Sequence, residues 1–258
     1  MSENKSFSLT GSTLKIIAII TMLIDHIGAC IFELGILENE AIRALPDTWT
    51  FFYQIDRGLR FVGRVAFPIF CFLLVEGFLH TSNRKRYAFR LFLFSLISEI
   101  PFNLAIRGTI RDSYFQNVYF TLLIALLVMM ACDYVYQKFV QNLENNPSTK
   151  LPFWLFLPIQ LVIISFGMLL AYWLRTDYSY KGVAAIAILY LFRFDKTKQV
   201  PAGVLSFCWE LPAPLAFIPI WFYNGKRGIS LRWFFYWFYP VHLLLLWAFT
   251  TYLLPVLL

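Results

Sequence analysis

The residues from Thr13 to Phe32 form an apolar run long enough to cross the roughly 30 Å of hydrocarbon in a bilayer, and such runs recur along the chain. Others occupy 61–79, 87–106, 116–136, 153–174, 182–193, 200–223 and 233–254. Hydrophobic residues make up 59% of the sequence and charged residues only 14%. A soluble domain carries about 25% charge and could not cover that much apolar surface. A soluble enzyme, a disordered chain and a disulfide-rich secreted domain are excluded. The sequence predicts an all-α fold: a polytopic helical membrane bundle of about eight transmembrane helices, with seven or nine as the alternative counts, one domain over residues 1–258.

The remaining features set the topology. Residues 1–12 are polar and precede a full-length span, so no cleavable signal peptide is expected. Cys30, Cys71, Cys132 and Cys208 are widely spaced beside apolar residues and read as reduced thiols, and no metal spacing occurs. Pro201, Pro212, Pro214 and Pro219 predict a bent or broken helix over 200–223. The run 182–193 is short, and either borrows 178–181 or is re-entrant. The segment 33–60 is the longest connection and could carry a surface helix, and 142–150 (NLENNPSTK) is the clearest solvated loop. The net charge of +7 lies in short loops, which suits lipid head groups and not nucleic acid. With eight crossings, lysines and arginines divide evenly between the two faces. Placing the densest cluster, Arg84, Lys85 and Arg86, in the cytoplasm puts both termini there.

Ionisable residues inside apolar runs are costly and mark candidate sites. They are Asp25 and His26 in the first run, Glu76 in the second, Glu99 in the third, Glu210 in the seventh and His242 in the last. Lys15 and Arg64 lie near run ends. Lys15 and His26 are 11 residues apart, three turns, and share a helix face about 16 Å apart. Asp25 and His26 point about 100° apart, so Asp25 needs a partner on another helix. At 1.5 Å per residue, His26 lies roughly 21 Å above one boundary and His242 roughly 15 Å below the other. The two histidines are therefore expected at one depth, facing one cavity that opens toward the turn from Arg84 to Arg90. Pro101 frees the carbonyl of Ile97, and the kink sits between Glu99 and Asn103, a polar pocket in an apolar span. Each of these residues alone could equally be a packing group, and the basic turn could be a topology signal.

The stretches 9–15 (LTGSTLK), 22–28 (MLIDHIG), 63–70 (GRVAFPIF), 75–81 (VEGFLHT), 98–103 (SEIPFN), 223–228 (YNGKRG) and 238–242 (FYPVH) together resemble the TraX family. Its first member is associated with N-terminal acetylation of conjugative pilin. More distantly, the chain is similar to transmembrane acyltransferases acting on sugars and lipids. That group places an arginine ten residues before a histidine in its first helix, where Lys15 and His26 keep a similar spacing. A Gly-Phe-Leu step with a basic turn, and a Tyr-x-x-His ending at Tyr239 and His242, extend the likeness. The resemblance implies acyl transfer, most simply acetyl, from acyl-CoA to an amine or hydroxyl of an envelope acceptor such as a pilin-like peptide or a surface glycan. On that reading His26 is the base, Asp25 or Glu99 orients it, and His242 is a second base or an oxyanion donor. Lys15, Arg84, Lys85, Arg86 and Arg90 would hold acetyl-CoA, and Arg64, Glu76, Asn103 and Tyr239 would line the cavity. No metal is implied. The setting would be the cytoplasmic membrane of a bacterium, with lipids as further partners. Two other classes fit the same residues: a proton-coupled small-molecule transporter, and a non-catalytic assembly factor for a pilus or surface system.

Overall fold

A computed structural model describes residues 8–112, 114–145, 153–230 and 232–258. Among them every regular element is helical, and six helical rods are long and apolar enough to cross a membrane. The protein is a multi-pass helical membrane bundle.

α1 (Gly11–Ile27) starts where Thr10 Oγ1 accepts the Thr13 N–H, a side-chain N-cap. Its helix continues in the wider π form over Gly28–Ile36, so 11–36 is one rod. After a four-residue helix, α2 (Glu40–Arg43), the chain returns through α3 (Pro46–Gly63) and α4 (Ala66–His80), joined by a turn at Arg64 and Val65. The stretch 33–60 is thus mostly the first half of a crossing rod, since α3 is amphipathic and lays one face along α1. α5 (Arg84–Arg107) is capped by Asn83 Oδ1 on the Arg86 N–H and ends at Gly108 in the left-handed region, φ 64°. α6 (Val118–Asn145) and α7 (Phe153–Trp173) follow. Of the expected loop 142–150, residues 142–145 continue α6 and the rest lies outside the described residues. α8 (Ser179–Leu191) is short because it is a core helix: Val183, Ile186 and Leu189 are fully buried, and α4, α6, α7 and α9 pack around it.

The run 200–223 does not cross once. α9 (Lys196–Ser206) goes in, and a 3₁₀ turn (Ala213–Ala216) with α10 (Phe217–Trp221) comes back. Pro212, Pro214 and Pro219 prevent one continuous helix. Gly203 lets the arms meet, since a Cβ there would lie 2.1 Å from the Phe217 ring. Lys196 Nζ donates to the Tyr223 carbonyl at 2.8 Å, so the hairpin begins and ends on one face.

That hairpin corrects the expected parity. Leu9 bridges Tyr223, and the Gly11 and Ser12 N–H groups donate to the carbonyls of Lys226 and Arg227 at 2.8 and 2.9 Å. The last rod, α11 (Arg232–Ala248) with a π segment (Phe249–Leu253) and α12 (Leu254–Leu257), therefore starts beside the start of α1. It runs parallel to α1, because Leu254 packs on Gly35. Leu254 and Leu9 lie on opposite faces, whereas an eight-crossing chain would have put them on one.

Candidate active site

The parallel course of α1 and α11 brings two histidines together. His26 Nδ1 lies 2.6 Å from His242 Nε2, with ring centroids 4.9 Å apart. His242 Nδ1 lies 2.6 Å from the Phe238 carbonyl, one turn back on α11. A carbonyl only accepts, so His242 Nδ1 carries a proton and donates it. In neutral His242 the other nitrogen, Nε2, must then accept, and His26 Nδ1–H donates to it. Among the described residues this leaves Nε2 of His26 with its lone pair free. Phe238 stacks on His242 at 4.8 Å and fixes the ring. His242 is 5% exposed and His26 half-buried.

Tyr239 is buried 6.0 Å from the His26 ring and 5.2 Å from that of Tyr119. Pro240 has no N–H, which frees the Tyr236 carbonyl, and the Tyr119 hydroxyl donates to it at 3.2 Å. The FYPVH stretch thus anchors α6 to α11 beside the histidines.

Asp25 finds its partner on another helix, as its direction requires. Arg60 Nη1 donates to Asp25 Oδ2 at 2.7 Å and to its carbonyl at 3.2 Å. The approach is possible because Gly63 faces Asp25, where a Cβ would lie 2.2 Å from the Asp25 Cβ. Arg64 Nε pairs with Glu210 at 2.9 Å, which ties the hairpin turn to α3 and α4. Glu99 accepts from Asn117 Nδ2 at 2.5 Å, with Asn103 buried one turn along α5. The residue brought against His26 is therefore His242, and not Asp25 or Glu99, whose carboxylates are held by Arg60 and Asn117.

Two cavities flank this layer. One, about 500 Å³, opens near the N-terminal face and is lined by Lys15, Arg90, Arg227, His80, Glu76 and four tyrosines, among them Tyr119 and Tyr236. Lys15 Nζ lies 5.3 Å over the Phe235 ring, and Arg90 Nε is buried without a hydrogen-bond partner among the described residues. His80 Nδ1 donates to the Glu76 carbonyl at 2.9 Å and lies 3.8 Å from the Glu76 carboxylate. The other cavity, about 620 Å³, lies by the opposite face between the π segment of the first rod, α2 and α3, and reaches Arg60 and Arg64.

The expected arrangement is changed in two respects. Arg84 is bound to Asp133 and lies 4.1 Å over the Phe78 ring, while Lys85 and Arg86 are exposed and line neither cavity. Of the arginines and the lysine between Arg84 and Arg90, Arg90 alone lines the cavity, where Arg227 from the 223–228 loop joins it. The histidines also line neither cavity. They lie between the two: Tyr239 and Tyr119 stand on one side, and Asp25 with Arg60 on the other.

Several participants carried no clear sequence signal. Arg60 stands one helical turn before Arg64 on the same face, a spacing that could have marked it. Asn117 and Tyr119 lie at a helix start. Tyr178 ends the loop into α8, where Arg175, Tyr178 and Ser179, the first residue of α8, take left-handed φ values of 52°, 61° and 45°. Such backbone costs about 1–3 kcal/mol per residue. It is held by Gln116, which exchanges backbone hydrogen bonds with Arg175 and Asp177, and it stacks Tyr178 on Phe67 at 3.5 Å.

The histidines, the Asp25–Arg60 layer and both cavities fall within residues 10–250, the span matched by the family model described as TraX protein. The chain is also 32% identical over 262 residues to the "Probable fimbrial assembly protein FimC, serogroup H1" of Dichelobacter nodosus, a match covering 95% of this chain and 97% of that protein. No solved structure matches the chain. The family match spans nearly the whole bundle and the relative aligns end to end, so the chain belongs to the TraX family.

Proposed function

We propose that this protein is a membrane-embedded acyltransferase that passes an acetyl group from acetyl-CoA to an amine or hydroxyl of an envelope acceptor. The observation that carries the reading is the hydrogen-bonded series Phe238 carbonyl, His242, His26, which leaves His26 Nε2 free to take a proton. As the acceptor attacks, His26 Nε2 accepts its proton, and His242 Nε2 stabilises the imidazolium through the Nδ1–H bond. The proton then returns to the departing thiolate. The same logic operates where a base is oriented by a hydrogen-bonded third group.

The cavity by the N-terminal face suits the donor. Lys15, Arg90 and Arg227 offer cations to phosphates, and the buried, unpartnered Arg90 Nε is a fixed donor. The tyrosines and leucines deeper in give an apolar channel for a pantetheine arm toward Tyr119 and Tyr239. These side rings must yield for the thioester to reach His26. Arg84, Lys85, Arg86, Lys198, Lys226 and Arg227 gather on this face, which favours placing it in the cytoplasm, where acetyl-CoA is made. The membrane is then the bacterial cytoplasmic membrane.

A second reading is carried by the relative's name: a fimbrial assembly role without catalysis. One experiment separates them. Envelope fractions from cells with the gene, without it and with His26→Ala are compared by mass spectrometry. An acetyl mass present only with the wild-type gene supports transfer. Full function with His26→Ala and no mass change supports assembly alone.

A further inference from the structure

The cavity by the opposite face has walls with a chemistry of their own. α3 lays Trp49 and Tyr53, one turn apart, in parallel with ring centroids 5.1 Å apart and an interplanar angle of 10°, and both line it. Asp56 lines the same cavity, is 4% exposed, and its Oδ1 has no hydrogen-bond partner among the described residues. This oxygen faces Gly28 of the first rod, where a Cβ would lie 3.2 Å from it, and a ligand's donor group entering this seam would satisfy it.

The charges around it select among donors. Four arginines and three carboxylates line the cavity. Arg43 pairs with Glu38 at 2.6 Å, and Arg60 and Arg64 with Asp25 and Glu210. Beside these pairs stand Arg57, Glu33 and Asp56, so a ligand meets both signs. A hydroxyl donates to a carboxylate and accepts from a guanidinium, so a polyol satisfies both signs. Its C–H face is apolar enough to lie on an indole or phenol ring. The volume, about 620 Å³, is that of a small-molecule site and admits one or two sugar rings.

Arg60 gives the cavity its connection to chemistry. It lines the cavity and holds Asp25, the neighbour of His26. We infer that this cavity binds a saccharide, free or lipid-linked, one of whose hydroxyls reaches His26 past the Asp25–Arg60 pair, from the face opposite the acyl donor. As acyl acceptor the hydroxyl gives its proton to His26 Nε2 and forms the ester C–O bond. The thioester C–S bond breaks, and the thiolate takes the proton from His26. The acceptor role rests on the acyltransferase reading, whereas the binding itself does not.

The test uses the full chain purified in a detergent without a sugar head group. Titration calorimetry measures binding of chitobiose and maltose, of the peptide tri-alanine, and of acetyl-CoA as a separate arm. Nanodiscs with a glucosyl diacylglycerol test the lipid-linked source. The expected result is saturable binding of a disaccharide or of the glycolipid, weakened roughly tenfold or more by Asp56→Asn and by Trp49→Ala. Tyr53→Ala, at an exposed ring, gives the same loss without disturbing a buried group. Failure of every saccharide to bind, binding of the peptide instead, or saccharide binding indifferent to all three substitutions overturns the inference. Saccharide binding without acetyl-CoA binding removes the donor reading and leaves this site standing.

Discussion

His26 Nδ1 lies 2.6 Å from His242 Nε2, although 216 residues separate them in the chain. The Phe238 carbonyl fixes the direction of the proton chain, so the two rings are not equivalent. His26 holds the free nitrogen and His242 orients it. His26→Ala should lower kcat by about 10²–10⁴-fold, the range of general acid–base catalysis. His242→Ala should cost less, and His242→Gln should recover part of that loss, because an amide oxygen can accept from His26 Nδ1–H. Acceptor-dependent release of CoA checks the ranking. Equal activity of the Ala and Gln variants at position 242 would show that acceptance from His26 has no role.

The Asp25–Arg60 pair is mostly buried, with side-chain exposures of 13% and 19%. Removing one partner strands the other charge, which costs about 3–5 kcal/mol when burial is complete. Asp25→Ala and Arg60→Ala should each lower the thermal unfolding midpoint in detergent, and the double variant should lose less than the sum. Strict additivity would mean that the pair is not coupled.

Two glycines on α3 make a matched comparison. A Cβ at Gly63 would lie 2.2 Å from the Asp25 Cβ, while one at Gly58 meets nothing within 4 Å. Gly63→Ala should destabilise by about 1–3 kcal/mol, the cost of overpacking, and should weaken activity through Asp25 and its neighbour. Gly58→Ala should be neutral or stabilising by up to ~1 kcal/mol. Unfolding curves of the two variants should move apart, and coincident curves would contradict the close contact of α1 and α3.

The basic residues of the N-terminal face should divide by role. Arg90→Glu and Arg227→Glu should raise KM for acetyl-CoA roughly tenfold or more, since both line the cavity. Arg84→Ala should leave KM near its starting value and lower stability, because it strands the buried Asp133. Lys85→Ala and Arg86→Ala should change neither quantity. Kinetics and unfolding on one protein preparation test all five substitutions. A raised KM in Arg84→Ala with unaltered stability would reverse this division.

The histidine pair was legible only in part: helical rise put both residues near mid-depth, but His242 was reckoned from the opposite boundary, whereas α11 starts on the same face as α1, and the two still meet because the middle of the bilayer is reached from either side. The hairpin 196–221 was half legible. Its prolines announce a break, but nothing local says whether the chain passes through or turns back, and that alone decides the parity of the fold. Arg60 was hidden for a related reason. It belongs to an amphipathic rod with little apolar character, which resembles a surface connection until α1 is laid beside it. The pairing of Arg84 was not legible, because Asp133 lies 49 residues away on another helix. Tyr178 depends on a strained loop held by Gln116, and no periodicity encodes that.

The most direct measurement of the proposed chemistry follows acetyl-CoA in proteoliposomes supplied with envelope extract, comparing wild type with His26→Ala. The wild type should bind acetyl-CoA and release CoA as acetyl enters the extract, while His26→Ala should bind it with similar affinity and release none. Wild-type turnover by His26→Ala, or no acetyl-CoA binding by the wild type, would contradict the assignment of His26 as the base of an acyl transfer.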